Sequence, residues 1–384
     1  MEIREYIESK KEEMLSKLVT LVNMEGQTEE KERLERVRDW LQAEFEAEGF
    51  ECSVHEVAPD RAGLLYGVLG KDRPDKPVLL SGHFDTVFPS GTFNGLNPCR
   101  VEGGLVYGPG VCDMKGGIIT ALYVVKALNA IGYDRRPLRL VLVGDEEYDH
   151  EGNDCDKLIT ELSRGAAAAF NFECAELDNS LQTGQKQQIN YRVSISGVGG
   201  HAGNEFYTSK NALHEAIYKL SEIIKLTDPV KDTTVTASVI NAGHNSTSVP
   251  DHCSFTVDVR ANGKAEVERI LSSMEEILGK DFIEGTRTEY SYFMSKMHSY
   301  TETEEISRLH GYVSSVAVRL GYPPFGKILH GGVTDAGNIA AAGVPVLCGC
   351  GLKGAWYHST KEYAVLSSMY ERAIIFAQAI KEME

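Results

Sequence analysis

The strongest constraint on this 384-residue chain is a change of hydrophobic period part-way along it. In the first half, short apolar runs, LLYGVLG (64–70), PVLLSGH (77–83) and LRLVLVGDEE (138–147), alternate with stretches whose apolar residues recur every three or four positions. Nearly continuous apolar strands are buried on both faces, and their alternation with helices demands a parallel or mixed sheet covered by helices. Helices are expected over 3–23, over 30–48, where Leu34, Val37, Leu41 and Phe45 fall on one face, and over 115–130. From about residue 187 the period becomes two. INYRVSISG, TVTASVI and CSFTVDVR alternate apolar with polar residues, as antiparallel strands with one solvated face do. Helical stretches over 208–226 and 264–279 lie among them, and after 296 the first pattern returns with helices near 303–320 and 360–381. The expected fold is α/β: a mixed-sheet domain covered by helices over 1–186 and 296–384, interrupted by an inserted α+β domain over 187–295.

The charge balance narrows the partners. With 39 Lys and Arg against 56 Asp and Glu, the formal net charge is −17. Nucleic acid and anionic membranes, which are bound through Lys and Arg, are not expected partners. An acidic total suits a chain that gathers carboxylates around metal ions. The longest uncharged run, near 337–352, is rich in Gly and Ala, contains Pro345 and falls short of a spanning helix. The N-terminal stretch MEIREYIESKKEEM is charged from its second residue, so no signal peptide is expected. Eight scattered cysteines without a CxxC pair are the pattern of reduced, mostly buried thiols, and the cytoplasm is the expected location.

Chemistry-bearing residues gather at the ends of the apolar runs, where ligands bind in open α/β sheets. His83 and Asp85, in LLSGHFDTVFP, sit two residues apart at a strand end. A metal-bound His gives its second ring N–H to a carboxylate or carbonyl, a task Asp85 could perform, although a capping Asp beside a surface His has the same spelling. Asp113 follows the glycines of YGPGVCDMKGG, where it could also merely cap the next helix. Asp145, Glu146 and Glu147 follow a buried strand directly; their mutual repulsion requires either a dication or open solvent. Glu173 again ends an apolar stretch, and His358 precedes the last helix. Imidazole and carboxylate donors in this ratio suit Zn²⁺ or related ions. Five donors exceed one tetrahedral centre, and two metals sharing a carboxylate account for the number.

As a set, HFDTVFP (83–89), GPGVCDMKGG (108–117), GDEE (144–147), NFE (171–173), GVGGHAG (197–203), SVPDHCSFTVDVR (248–260), GGVTDAG (331–337) and WYHS (356–359) make the chain resemble a known family. It is the co-catalytic zinc peptidase and deacylase family, which includes carboxypeptidase G-type glutamate carboxypeptidases, succinyl-diaminopimelate desuccinylase, acetylornithine deacetylase and aminoacylase. The resemblance covers essentially the whole chain. It implies a catalytic domain with an inserted lid and dimerisation domain, a homodimer, and two Zn²⁺ per chain, with Co²⁺ or Mn²⁺ able to occupy the same donors. Asp113 would bridge the metals, with His83 and Glu173 completing one site and Glu147 and His358 the other. Glu146 would be the general base and Asp85 would orient His83. His201 would be the lid histidine that stabilises the oxyanion in a partner subunit's active site, unless it is simply a turn residue.

The resemblance also speaks to substrate. Glu at 173 is similar to carboxypeptidases and N-acyl amino acid deacylases, whose substrates are small peptides or N-acyl amino acids with a free carboxylate. Arg260 resembles the lid arginine that meets that carboxylate, and the same residue could equally close a surface ion pair. Gly331, Gly332, Thr334 and Asp335 match a loop that lines the cleft. The chain departs from the family at three places: Thr247 stands where Asn is common, with Asn245 two residues earlier; Tyr148–Gly152 replaces a Gly-Ser pattern; and YSYFMSK (290–296) replaces an Arg-Pro pair. The contrasting expectation is a catalytically silent metal-binding or regulatory protein on the same scaffold.

Overall fold

The computed structural model describes residues 2–93, 95 and 98–384. Two compact units are present: residues up to Gly184 with Glu302–Leu329 and Thr334–Glu384 form one, and Gln185–Thr301 with His330–Val333 the other.

The first unit is built on a six-stranded sheet in the order Glu51–His55, Leu64–Leu69, Leu138–Val143, Val78–His83, Ala168–Asn171, Val346–Leu347. Only Leu64–Leu69 runs against the others. Every position of Val78–His83 and Ala168–Asn171 is buried, as their continuous apolar spelling requires. Register sets the site. His83 pairs with Val143 and Ser81 with Asn171, so the residues that follow Val143 and Asn171 leave the sheet beside His83. Helix Gly116–Ala130 is buried over most of its length and packs against the C-terminal helix Leu366–Glu382. A Cβ at Gly117 would lie 1.7 Å from the Phe172 carbonyl oxygen, so only glycine lets this helix start against the strand exit that leads to Glu173.

The second unit is a four-stranded antiparallel sheet in the order Thr234–Ala242, His252–Ala261, Gln187–Ser196, Arg287–Met294. Ile189, Tyr191, Val193 and Ile195 alternate with exposed or half-buried neighbours and face a core shared with Cys253, Phe255, Val257 and Val259. Helices Ala212–Ile223 and Lys264–Gly279 contribute Ala216, Ile223, Ile270 and Met274 to that core.

Several elements differ from the sequence reading. The helix expected over 3–23 is two, Ile3–Ser9 and Lys11–Asn23, because Lys10 leaves helical geometry (φ −107°, ψ 4°). The last helix begins at Leu366, since Tyr363–Val365 pairs as a strand with Leu105–Tyr107. The helix expected from 208 starts at Ala212, where the Asn211 side chain accepts from His214 N–H (3.0 Å). Strand Thr234–Ala242 is exposed along most of its length as the edge of its sheet. All eight cysteines are free, and among the described residues no helix is long and apolar enough to cross a membrane.

One buried ion pair ties the helices of the second unit together. Lys219 and Glu215 are fully buried and 3.1 Å apart. Lys219 Nζ donates to the carbonyls of Ile277 (3.3 Å) and Leu278 (2.9 Å), satisfying the end of helix Lys264–Gly279, while Glu215 accepts from the N–H groups of Phe282 and Ile283. Lys219→Met leaves the carboxylate uncompensated and should destabilise this unit by about 3–5 kcal/mol. A urea-unfolding transition at the wild-type midpoint would contradict that.

Candidate active site

The site is assembled from loops at one end of the six-stranded sheet. Asp113 is placed by a turn after strand Leu105–Tyr107 that passes through Gly110 at φ 71°. The carboxylate of Glu362, 1% exposed, holds this turn by accepting from the N–H groups of Gly110 (2.9 Å), Cys112 (2.8 Å) and Asp113 (3.0 Å). His358, four residues before Glu362, reaches Asp113 from the other side with its backbone in the left-handed region (φ 60°). Such a conformation is strained for a non-glycine residue and is found where surrounding structure fixes a functional side chain.

Two donor groups result, and they share one carboxylate. His83 Nε2 lies 3.1 Å from Asp113 Oδ1 and 3.5 Å from Glu173 Oε1. His358 Nε2 lies 3.3 Å from Asp113 Oδ2 and 3.1 Å from Glu147 Oε2. Within each trio, His83–Asp113–Glu173 and Asp113–Glu147–His358, the donor atoms lie within 4.8 Å of one another. Behind His83, its Nδ1 meets Asp85 through the carbonyl (3.1 Å) and Oδ1 (3.2 Å), partners that would keep a hydrogen on Nδ1 when a metal ion takes the place of the hydrogen that Nε2 directs at Asp113. Asp85 Oδ2 accepts from Thr28 Oγ1 (2.7 Å) and from the N–H of Glu147 (3.1 Å), tying both trios to one carboxylate. Glu146 Oε2 is 4.0 Å from His83 Nε2 and belongs to neither trio.

The electrostatics call for cations. Three buried carboxylates, Asp113, Glu146 and Glu173, and the half-buried Glu147 face two imidazoles. Burial, with repulsion from Asp113, pushes Glu147 up to about 7. Burial and the charges of Asp113 and Glu147 push Glu173 up to about 7 against the pull of His83. Glu146 is raised well above the usual carboxylate range, by burial first and then by Glu173, Glu147 and Asp335. Burial acts against ionised Asp113 too, but hydrogen bonds from His358 and His83 outweigh it and hold the carboxyl well below that range. His83, which burial alone would lower, is raised by Glu173, Glu146, Asp113 and Asp85. Two divalent ions on these donors would relieve the repulsion, and the donor set, one imidazole and two carboxylates per trio, fits Zn²⁺ or a similar ion.

The family model for peptidase family M20/M25/M40 matches residues 79–382. The chain belongs to that family. It is 28% identical over 382 residues to carboxypeptidase G2 of Pseudomonas sp. (strain RS-16), covering 96% of this chain and 89% of that one. To succinyl-diaminopimelate desuccinylase of Alkalilimnicola ehrlichii it is 25% identical over 344 residues, 84% and 88% of the two chains. The crystal structure of a tripeptidase from Staphylococcus aureus superposes with a TM-score of 0.81 at 19% identity, covering 97% and 98% of the chains, which shows the fold. As a member of this family the chain is a metal-dependent hydrolase of the metallopeptidase type, on the mixed α/β fold expected from its sequence.

The other residues singled out in the sequence lie outside the two trios. Thr334 and Asp335 are buried in the first unit: Thr334 Oγ1 accepts from Ala336 N–H (3.3 Å), and Asp335 Oδ1 lies 2.8 Å from His150 Nε2. His201, Asn245, Thr247, Arg260, Gly331 and Gly332 belong to the second unit. His201 is exposed, and its Nδ1 accepts from the N–H groups of Gly203 and Asn204 (both 3.2 Å), which assigns the proton to Nε2. Asn245 Oδ1 accepts from Thr247 N–H (3.0 Å) and Oγ1 (3.1 Å) and from Ser248 Oγ (2.9 Å). Arg260 does close an ion pair, through Nε (3.0 Å) and Nη2 (3.3 Å) to Asp258, and its Nη1 donates to the Gly331 carbonyl (3.1 Å).

For this M20-family site the sequence reading missed Glu362, Thr28 and His150, whose partners are remote in the chain. The spelling HSTKEY carries no periodic signal for Glu362; only its position just beyond a candidate ligand could have drawn notice. Glu362→Ala leaves three backbone N–H groups buried and unpartnered, at about 1–3 kcal/mol each. Its expected effect is Zn²⁺ affinity about 10–100-fold weaker, read by competition with a chromophoric chelator, with Glu362→Gln recovering part of it through its remaining oxygen. Wild-type affinity in the Ala variant would show that the turn stands without this anchor.

Proposed function

We propose that the chain is a dinuclear zinc metallohydrolase that cleaves an amide bond next to a free carboxylate, as a C-terminal exopeptidase or an N-acyl amino acid deacylase. The observation that carries it is the sharing of Asp113 by two complete trios while the neighbouring Glu146 joins neither. His83, Asp113 and Glu173 would hold one ion and Asp113, Glu147 and His358 the other, with Co²⁺ or Mn²⁺ as possible occupants. Bound there, the ions supply Lewis acidity toward the scissile carbonyl and the attacking water. Glu146 is the general base: its burial among like charges raises its proton affinity, so that it takes a proton from the water and gives it to the leaving nitrogen. Asp85 keeps His83 in its donor tautomer.

The second unit supplies recognition in this proposal. His201, with its proton on Nε2, donates to the developing oxyanion across a homodimer. Exposed edge strand Thr234–Ala242, with Val239 and Ile240, and the half-exposed Ile217, Tyr218 and Ile224 support dimerisation through this unit. Arg260 receives the substrate carboxylate: three of the guanidinium's five N–H groups are engaged, which fixes its plane and leaves two for a ligand. Asn245, Thr247, Gly331, Gly332, Thr334 and Asp335 are the further substrate-binding residues in this proposal. The free thiols fit a cytoplasmic enzyme. The names of the two relatives, a carboxypeptidase and a succinyl-diaminopimelate desuccinylase, correspond one each to the two activities proposed.

Two measurements test this. Glu146→Gln should keep its metal and lose about 10²–10⁴-fold in kcat; unchanged turnover would remove Glu146 from the mechanism. A screen of N-acyl amino acids and dipeptides of varied C-terminal residue, with Zn²⁺, Co²⁺ or Mn²⁺, should find cleavage only beside a free carboxylate. Cleavage of C-terminally amidated peptides at the wild-type rate would overturn the assigned specificity.

A further inference from the structure

The acid turn departs from its family pattern at Tyr148–Gly152, and the structure gives that departure a purpose. His150 is fully buried between two buried carboxylates: its Nδ1 lies 3.0 Å from Asp145 Oδ1 and its Nε2 2.8 Å from Asp335 Oδ1. A carboxylate accepts and does not donate, so each ring nitrogen facing one must carry a hydrogen. Both carboxylates also accept from a side-chain amide, Asp145 Oδ2 from Asn153 Nδ2 (2.8 Å) and Asp335 Oδ1 from Asn338 Nδ2 (3.0 Å). Asp145, His150 and Cys155 also lie within 4.8 Å of one another, but burial pushes the Cys155 thiol up to about 12, which keeps it a neutral thiol rather than a metal-binding thiolate. The backbone closes the same turn: Asp149 N–H donates to the Glu146 carbonyl (2.7 Å) and His150 N–H to the Asp145 carbonyl (3.2 Å), with Asp149 and His150 both left-handed (φ 55° and 51°). The residues enclosed between Asp145 and His150 are Glu146, Glu147, Tyr148 and Asp149, so both glutamates lie within the clamp.

We infer that His150 is a positioning residue: as an imidazolium bridging Asp145 and Asp335, it fixes the turn that presents Glu146 and Glu147. The inference rests on the reading of those glutamates as base and metal ligand. Two carboxylates in an apolar interior would repel each other, and the cation between them replaces that repulsion by two charge-assisted hydrogen bonds. It also joins the acid turn to the start of helix Ala336–Ala341, fixing a loop from both ends.

The test uses the full-length protein. In proton–nitrogen spectra of metal-free wild type with labelled histidine, His150, identified by its loss in His150→Gln, should show both ring nitrogens protonated at neutral and mildly alkaline pH. Titrated with Zn²⁺ after chelator treatment, His150→Gln should bind at least one equivalent about 10–100-fold more weakly and lose kcat with KM little changed. Asp335→Asn, a milder change, should go the same way, and the double variant should be no worse than His150→Gln alone, since both remove one bridge. A neutral imidazole, or wild-type Zn²⁺ affinity and kcat in His150→Gln, would overturn the inference. Should wild type itself take up no Zn²⁺, the proposed ligand set fails, while the proton count at His150 still decides the clamp.

Discussion

Everything at the active end of this molecule depends on Asp113 being shared. Its two oxygens face His83 and His358 at 3.1 and 3.3 Å, which makes one carboxylate the joint between two donor trios. Placing it there creates the central difficulty: Glu146, Glu147 and Glu173 crowd the same buried space, and desolvation and repulsion drive all three toward protonation. A dinuclear cation site answers that difficulty. Glu146, proposed as the base, leaves the same turn as Glu147 but lies outside both trios.

Around this joint the chain has spent buried polar groups on geometry. Glu362 pins the backbone of the Asp113 turn, Asp85 links the His83 ring to the Glu147 backbone, and His150 bridges Asp145 to Asp335. Each anchor joins segments far apart in sequence, so the donors are held by the sheet and its covering helices rather than by their own loops. Such outer groups set metal affinity and orientation as much as the ligands do.

How much of this could be read beforehand follows from the range of the interactions. The α/β class was legible because burial on two faces gives Val78–His83 and Ala168–Asn171 continuous apolar spelling, and because a period of two marks Gln187–Ser196 and His252–Ala261. Strand ends pointed to His83, Glu147 and Glu173 because parallel neighbours in register release their next residues side by side. The start of the last helix was misread because Tyr363–Val365 is apolar and helix-compatible until a partner strand claims it. Glu362 was illegible for a related reason, since its role is made of hydrogen bonds to residues up to 252 positions away; at His150 the sequence marked the departure and its near partner Asp145, but not Asp335, 185 positions away.

The central claim is two divalent ions per chain held through Asp113, and metal content measured on wild type and ligand variants tests it most directly. After loading with Zn²⁺ and removal of excess ion, elemental analysis should find about two ions per wild-type chain, near one in His83→Ala and in His358→Ala, and fewer than one in Asp113→Ala. A single ion per chain in wild type, undisturbed by His358→Ala, would contradict the account.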